Sequence, residues 1–262
     1  MAADRWGAGE KYESFMGRWS RVLAARFVRL VPVPAGSDWV DVGCGTGALS
    51  GAVLALASPR SVLGVDPAPG FVDHVRHVID DPRFRAEVAE ATALGLADNS
   101  VDAVVSSLVL NFVPDAVAAL VEGRRVVRPG GVVGGFVWDY AEGMGMLRVF
   151  WEAAVELDDD ARSAAEGVRF TLCHAEPLRQ ALLEAGLSEV HVEAIDATAR
   201  FDGFDDYWSP FLGGQGPAAG YVARLGQDRQ AALRERLREQ LPTAPDGSIQ
   251  LGLRAWAFWG TS

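Results

Sequence analysis

Asp41, Gly43, Gly45 and Gly47 stand at alternate positions in the stretch VDVGCGTGALS at 40–50, and Asp66 closes the next apolar run, SVLGVD. An apolar run entering a glycine-rich segment reads as the end of a buried strand, a tight turn and the first turn of a helix. Three alternate glycines strip side chains from the inside of that turn. A ligand can then lie against bare backbone, with amide N–H groups facing it from the helix start. Asp41 lies where the strand emerges, and a carboxylate there suits a cationic ammonium and opposes a phosphate. Asp66 occupies the position from which a carboxylate takes two ribose hydroxyls.

These residues need a parallel sheet to hold them, and the chain supplies its pattern. Helix periodicity covers 10–31, with Phe15, Trp19, Val22, Leu23, Phe27 and Leu30 as its apolar stripe, and Pro32 and Pro34 stop it. Strands are expected at 38–43, 61–65, 83–89, 101–107 and 132–138, with helices at 46–57, 69–79 and 115–127 between them. The 101–107 strand is apolar on both faces, as strands covered by helices on each side must be. Such alternation implies right-handed crossovers and a doubly wound α/β sheet. Beyond Trp138 the spacing predicts helices at 142–157 and 176–185, a strand at 190–195 and a last strand at 249–259. Between those two strands an aromatic stretch with Phe201, Phe204, Tyr207, Trp208 and Phe211 precedes a charged helix at 217–240. That excursion is surplus to a sheet and is the first candidate for a substrate cover. The expected organisation is one domain over 1–262: a helical lid at 1–34, a ligand-binding core at 35–138, covers at 139–173 and 197–248, and the last strand at 249–259.

The 262 residues carry a net charge of −11, from 35 acidic and 24 basic side chains, and Lys11 is the only lysine. An acidic chain without a basic run is poorly built to hold a polyanion, so nucleic acid is not an expected partner. Cys44 and Cys173 show no metal-ligand spacing, and no metal is expected. No apolar run approaches a membrane span and the polar start has no secretory pattern, so the expected location is cytoplasmic. Oligomeric state is not readable from these features.

Gly43, Gly45 and Ala48 also fit the dinucleotide pattern G-x-G-x-x-G/A, and Asp66 serves an adenosine ligand of either kind. Asp41 favours S-adenosylmethionine. An NAD(P)-dependent oxidoreductase is the alternative, although a chain with one lysine holds no Tyr-x-x-x-Lys pair. A non-catalytic S-adenosylmethionine-binding subunit is the other.

In four blocks the sequence resembles the class I S-adenosylmethionine-dependent methyltransferases, in particular the ubiquinone/menaquinone-biosynthesis type and related small-molecule enzymes. The blocks are VDVGCGTGALS at 40–50, GVDPA at 64–68, ADNSVDAVVSSLVLNFVPD at 97–115 and RRVVRPGGVV at 124–133. The resemblance implies a mostly parallel seven-stranded, Rossmann-like sheet with an antiparallel last strand and helical cover insertions. It implies S-adenosylmethionine as cofactor and S-adenosylhomocysteine as product, with a small-molecule methyl acceptor. Gly43, Cys44, Gly45 and Gly47 would cradle the methionine part, with Asp41 near its ammonium. Asp66 would hold the ribose, Pro67 would line the adenine pocket, and Glu90-Ala91 stands where relatives carry an adenine-binding Asp and a small residue. Ser106 and Ser107 would face the methionine chain. Tyr12, Arg18 and Trp19 would close the lid helix over the cofactor, Arg18 reaching its carboxylate. Asn111 stands where many relatives have His, so it can contact an acceptor but cannot act as a base there.

Methyl transfer from a sulfonium needs the acceptor atom placed behind the methyl group and water kept out. A base is optional, and the candidates for base or orienting groups in the covers are Asp139, Tyr140, His174 and Tyr207. Trp138, Tyr207 and Trp208 are candidates for the acceptor pocket, although each of them also suits a core. His74, His77 and His191 are read as structural.

Overall fold

The computed structural model describes residues 17–213 and 216–262. Helix α1 (Arg18–Leu30) leads into β1 (Asp38–Val42), α2 (Ala48–Leu56), β2 (Ser61–Asp66), α3 (Pro69–Val78), β3 (Phe84–Val88) and β4 (Val101–Ser107). After a single turn at Leu110–Phe112 come α4 (Ala116–Val126), β5 (Val127–Trp138) and α5 (Gly145–Leu157). The short α6 (Glu166–Arg169), α7 (Ala175–Glu184), β6 (Ser188–Phe201), α8 (Phe204–Trp208), α9 (Gly216–Arg224), α10 (Gln227–Gln240) and β7 (Ile249–Thr261) complete the order.

Seven strands form one sheet in the order β3-β2-β1-β4-β5-β7-β6. Pairings among the first five are parallel, whereas β7 runs antiparallel to both its neighbours. The expected doubly wound sheet with an antiparallel last strand is what the chain forms. Alternate residues of the central strands serve opposite cores. Trp39, Ala103 and Val105 join one cluster, and Val40, Val42 and Val104 the other. Removing both faces from water is what lets β4 be apolar throughout.

The structure shifts several expected boundaries. In α1, Trp19, Leu23 and Phe27 are buried as expected, but Ala24 and Val28 complete the stripe while Val22 and Leu30 face outward. Phe15 lies outside the described residues. Strand β5 begins at Val127, because Val127 pairs with Val101 across a register shift before the main ladder starts at Val132. Strand β6 is far longer than 190–195, since β7 offers it ladder partners as far as Phe201 opposite Ile249. Residues 197–201, expected in a cover, are therefore sheet. The expected helix at 217–240 is two helices, broken between Arg224 and Gln227 at Leu225-Gly226.

Candidate functional site

The turn after β1 is held by the end of β2. The backbone N–H groups of Gly43 and Cys44 both donate to the Val65 carbonyl, at 2.7 and 2.9 Å. Asp66 accepts from the N–H of Gly45 at 3.2 Å and from that of Ala68 at 2.9 Å, tying the turn to the start of α3. Burial pushes the Asp66 carboxyl above its ordinary value. Gly43, Gly45 and Gly47 have φ of +69°, +52° and +88°, a region that side chains disfavour. Their reasons for lacking a side chain differ. A Cβ on Gly43 would lie 2.4 Å from Val109 Cγ2, and one on Gly47 would lie 2.8 Å from Val75 Cγ2. At Gly45 the nearest atom would be the Gly43 carbonyl oxygen, at 3.9 Å. The protein's own side chains occupy the space a Cβ would take at Gly43 and Gly47, whereas that space is open at Gly45.

A cavity of about 280 Å³ opens beside this turn, at the carboxyl ends of the parallel strands, where open α/β sheets take their ligands. Its floor is Gly43, Cys44, Gly45, Thr46 and Ala48, with Asp66, Pro67, Ala68 and Phe71 along one side. Ser107, Leu108, Val109 and Phe112 follow β4, and Trp138 and Tyr140 follow β5. Ser20 of α1, Leu147 of α5, Glu166, and Gly216, Pro217 and Ala218 of α9 close it. Leu108 has φ of +60°, strained for a bulky side chain. It is fixed there by its N–H donating to the Phe136 carbonyl at 2.7 Å, and such strain clusters at functional sites.

Glu166 is 4% exposed. It accepts a short hydrogen bond from Trp151 Nε1 and a second, at 3.4 Å, from the Ala218 N–H. Burial pushes its carboxyl up to about 7, outweighing its own backbone N–H, these two donors and the charge of Arg169. Nothing in the sequence singled it out. It opens the four-residue α6, and its partners are 15 and 52 residues away.

Several expected site residues reach the cavity: Gly43, Cys44, Gly45, Asp66, Pro67, Ser107, Trp138 and Tyr140 all line it. Others are placed elsewhere. Asp41 is buried beneath the turn, where Ser50 Oγ donates to it at 2.7 Å, and desolvation pushes its carboxyl up to about 7. Ser106 and Ala91 line a separate, much smaller hollow beside Val42. Glu90 is exposed, and its charge helps raise the Asp66 carboxyl. Asn111 is half-buried off the cavity wall.

Arg18 pairs with Asp206 at 3.3 Å and lies over the rings of Trp19 and Phe201. Trp19 meets Phe201 edge-on in the core. The Tyr207 hydroxyl donates to the Met146 carbonyl at 2.8 Å from a fully buried ring, and Trp208 packs beside Phe204 and Phe211. Both therefore belong to core packing, and neither lines the cavity. Asp139 accepts from the Glu142 N–H at 3.0 Å and so caps a turn, and His174 is exposed at the start of α7. Tyr12 lies outside the described residues. Among the described residues no group of three metal-ligating side chains forms, and no helix is long and apolar enough to cross a membrane.

Comparison with known proteins agrees with this geometry. Residues 40–134 match the family model described as a methyltransferase domain. A malonyl-(acyl-carrier protein) O-methyltransferase of Yersinia pestis is 34% identical over 48% of the chain and 45% of its own length, so the chain spans under half of that relative. Among solved structures, a putative methyltransferase from an antibiotic biosynthesis pathway of Anabaena variabilis matches over 93% of the chain and 99% of its own, with 20% identity and a TM-score of 0.61. A phosphoethanolamine N-methyltransferase of Haemonchus contortus, solved with S-adenosylhomocysteine, matches over 97% of the chain and 56% of its own, with 17% identity and a TM-score of 0.60. With this strand order and these structural neighbours, the chain carries the class I S-adenosylmethionine-dependent methyltransferase fold, and its residues 40–134 match the methyltransferase-domain model.

Proposed function

We propose that this protein transfers a methyl group from S-adenosylmethionine to a small, partly apolar acceptor. One observation carries the reading: the glycine turn with Asp66 walls the same cavity as Tyr140, Leu147, Glu166 and Ala218 of the cover segments. The residues present suit the cofactor. Gly45 leaves bare backbone at the floor, where an added Cβ would have no atom within 3.9 Å. Each Asp66 oxygen accepts a single backbone N–H, and an ionised carboxylate has capacity for two hydroxyls more. The bound cofactor supplies a methyl group already activated on a sulfonium. Phe71, Phe112, Trp138 and Leu147 exclude water from it, and rings near a sulfonium favour its charge.

The lid and cover roles assigned to 1–34 and 139–173 are part of this proposal, supported by Ser20, Leu147 and Glu166 at the cavity wall. No lysine, arginine or histidine is among its described lining residues, which disfavours a pyrophosphate-bearing cofactor and a polyanionic substrate. Titration calorimetry with S-adenosylmethionine, S-adenosylhomocysteine and NAD(P)H tests the reading. Binding of S-adenosylhomocysteine without NAD(P)H is expected, and the reverse preference refutes it.

A further inference from the structure

The wall of the cavity contributed by the covers holds a carboxylate, Glu166, whose burial calls for an explanation. An ionised carboxylate out of water is costly unless it is paired. Glu166 receives only neutral donors: its own backbone N–H, Trp151 Nε1 and the Ala218 N–H. Among the described residues no basic side chain forms an ion pair with it. Of the about four lone-pair sites on its two oxygens, one remains open after those bonds. The nearest basic influence, Arg169 on the same short helix, is the weakest of those acting on it. The cavity it borders holds a second carboxylate, Asp66, and the rings of Phe71, Phe112, Trp138 and Tyr140. Carboxylates and aromatic faces together favour a cation and repel an anion. An acceptor carboxylate would meet two like charges here with no basic group among the described lining residues to offset them.

We propose that Glu166 recognises the methyl acceptor, and that the acceptor is a small apolar molecule bearing an amine, held as its ammonium against this carboxylate. The inference rests on the methyltransferase reading and names its substrate class. An ammonium has no lone pair and cannot accept a methyl group until it loses a proton. Its N–H bond breaks with the proton passing to a Glu166 oxygen and the electron pair staying on nitrogen. That pair forms the C–N bond as the donor's C–S bond breaks and its electrons return to sulfur, so the net reaction releases one proton. A carboxyl pushed up to about 7 is well matched to take a proton and return it to water.

Calorimetry with benzylamine, benzyl alcohol and benzoate, each with and without S-adenosylhomocysteine, tests the assignment. Benzylamine is expected to bind at least about tenfold more tightly than the alcohol, with benzoate weakest. In Glu166→Gln the amine should fall to the level of the alcohol, while S-adenosylhomocysteine affinity stays within about twofold. Glu166→Asp, which keeps the charge, should retain the amine preference. Wild-type protein also serves without any variant: its amine affinity should decline as pH drops through about 7 and Glu166 takes up a proton. Asp66 lines the same cavity and Arg169 lies nearby, so the same titration in Asp66→Asn identifies which carboxylate responds. Equal binding of amine and alcohol by the wild type, or a Glu166→Gln protein with undiminished amine preference, overturns the proposal. Amine selectivity without any S-adenosylhomocysteine binding would instead support the role of Glu166 and remove the methyltransferase reading.

Discussion

Replacing Gly43 with alanine separates two reasons for a glycine at the head of the central strand. At φ of +69° any side chain carries a conformational cost of about 1–2 kcal/mol. The new methyl would also lie 2.4 Å from Val109 Cγ2 and 2.8 Å from Cγ1, far inside the usual separation of about 3.5–4.0 Å. Both branches of Val109 are in the way, so backbone or neighbours must move, a strain of about 1–3 kcal/mol. The expected loss of roughly 2–5 kcal/mol is a large share of a typical domain stability. It corresponds to a fall in Tm of roughly 5–20 °C. Gly45→Ala is the comparison. Its φ of +52° incurs the first cost alone, since the methyl meets nothing closer than 3.9 Å. Thermal denaturation should rank the proteins wild type, Gly45→Ala, Gly43→Ala, and adding Val109→Ala to Gly43→Ala should restore the steric part. Calorimetry with S-adenosylhomocysteine should show the opposite emphasis, with Gly45→Ala losing affinity although its cost in stability is the smaller of the two. If the two single variants melt together, Val109 does not set the requirement for glycine at 43.

Three further outcomes are expected. Asp41 and Glu166 both have folded-state carboxyls at about 7, above their unfolded values near 3.9 and 4.3. Between those limits the native state binds more protons than the unfolded state, so stability falls as pH rises from about 4 to 7. Asp41→Asn should flatten that slope, and denaturant unfolding across the range measures it. Asp66→Ala removes the acceptor for the Gly45 and Ala68 N–H groups. It should weaken S-adenosylhomocysteine binding at least about tenfold by calorimetry, and unchanged affinity would count against a ribose-binding role. Arg18→Ala breaks a half-exposed pair with Asp206 and the stacking on Trp19 and Phe201. It should cost about 1 kcal/mol in denaturant unfolding and leave S-adenosylhomocysteine affinity unchanged, whereas a large loss of affinity would return Arg18 to the cofactor site.

By itself the sequence determined the sheet and the floor of the site. Apolar runs of strand length between helix-period segments specify β1, β2, β4 and β5, because burial on both faces writes itself into contiguous residues, whereas the edge strand β3 buries only Phe84 and Ala86. The glycine turn and Asp66 were legible for the same reason: each marks the end of a strand, and adjacent parallel strands bring their ends together. Tertiary structure alone decided the rest. Gly43 needs its bare Cα because of Val109, and Gly47 because of Val75, contacts made across sequence distances that no local pattern encodes. Tyr207 and Trp208 have the composition of a pocket wall, yet the core took them, since a ring buries its apolar area equally well in either place. Glu166 is the converse. A lone carboxylate opening a four-residue helix has no periodicity to announce it, and only the meeting of α5, α6 and α9 over the strand ends makes it a buried charge at a cavity.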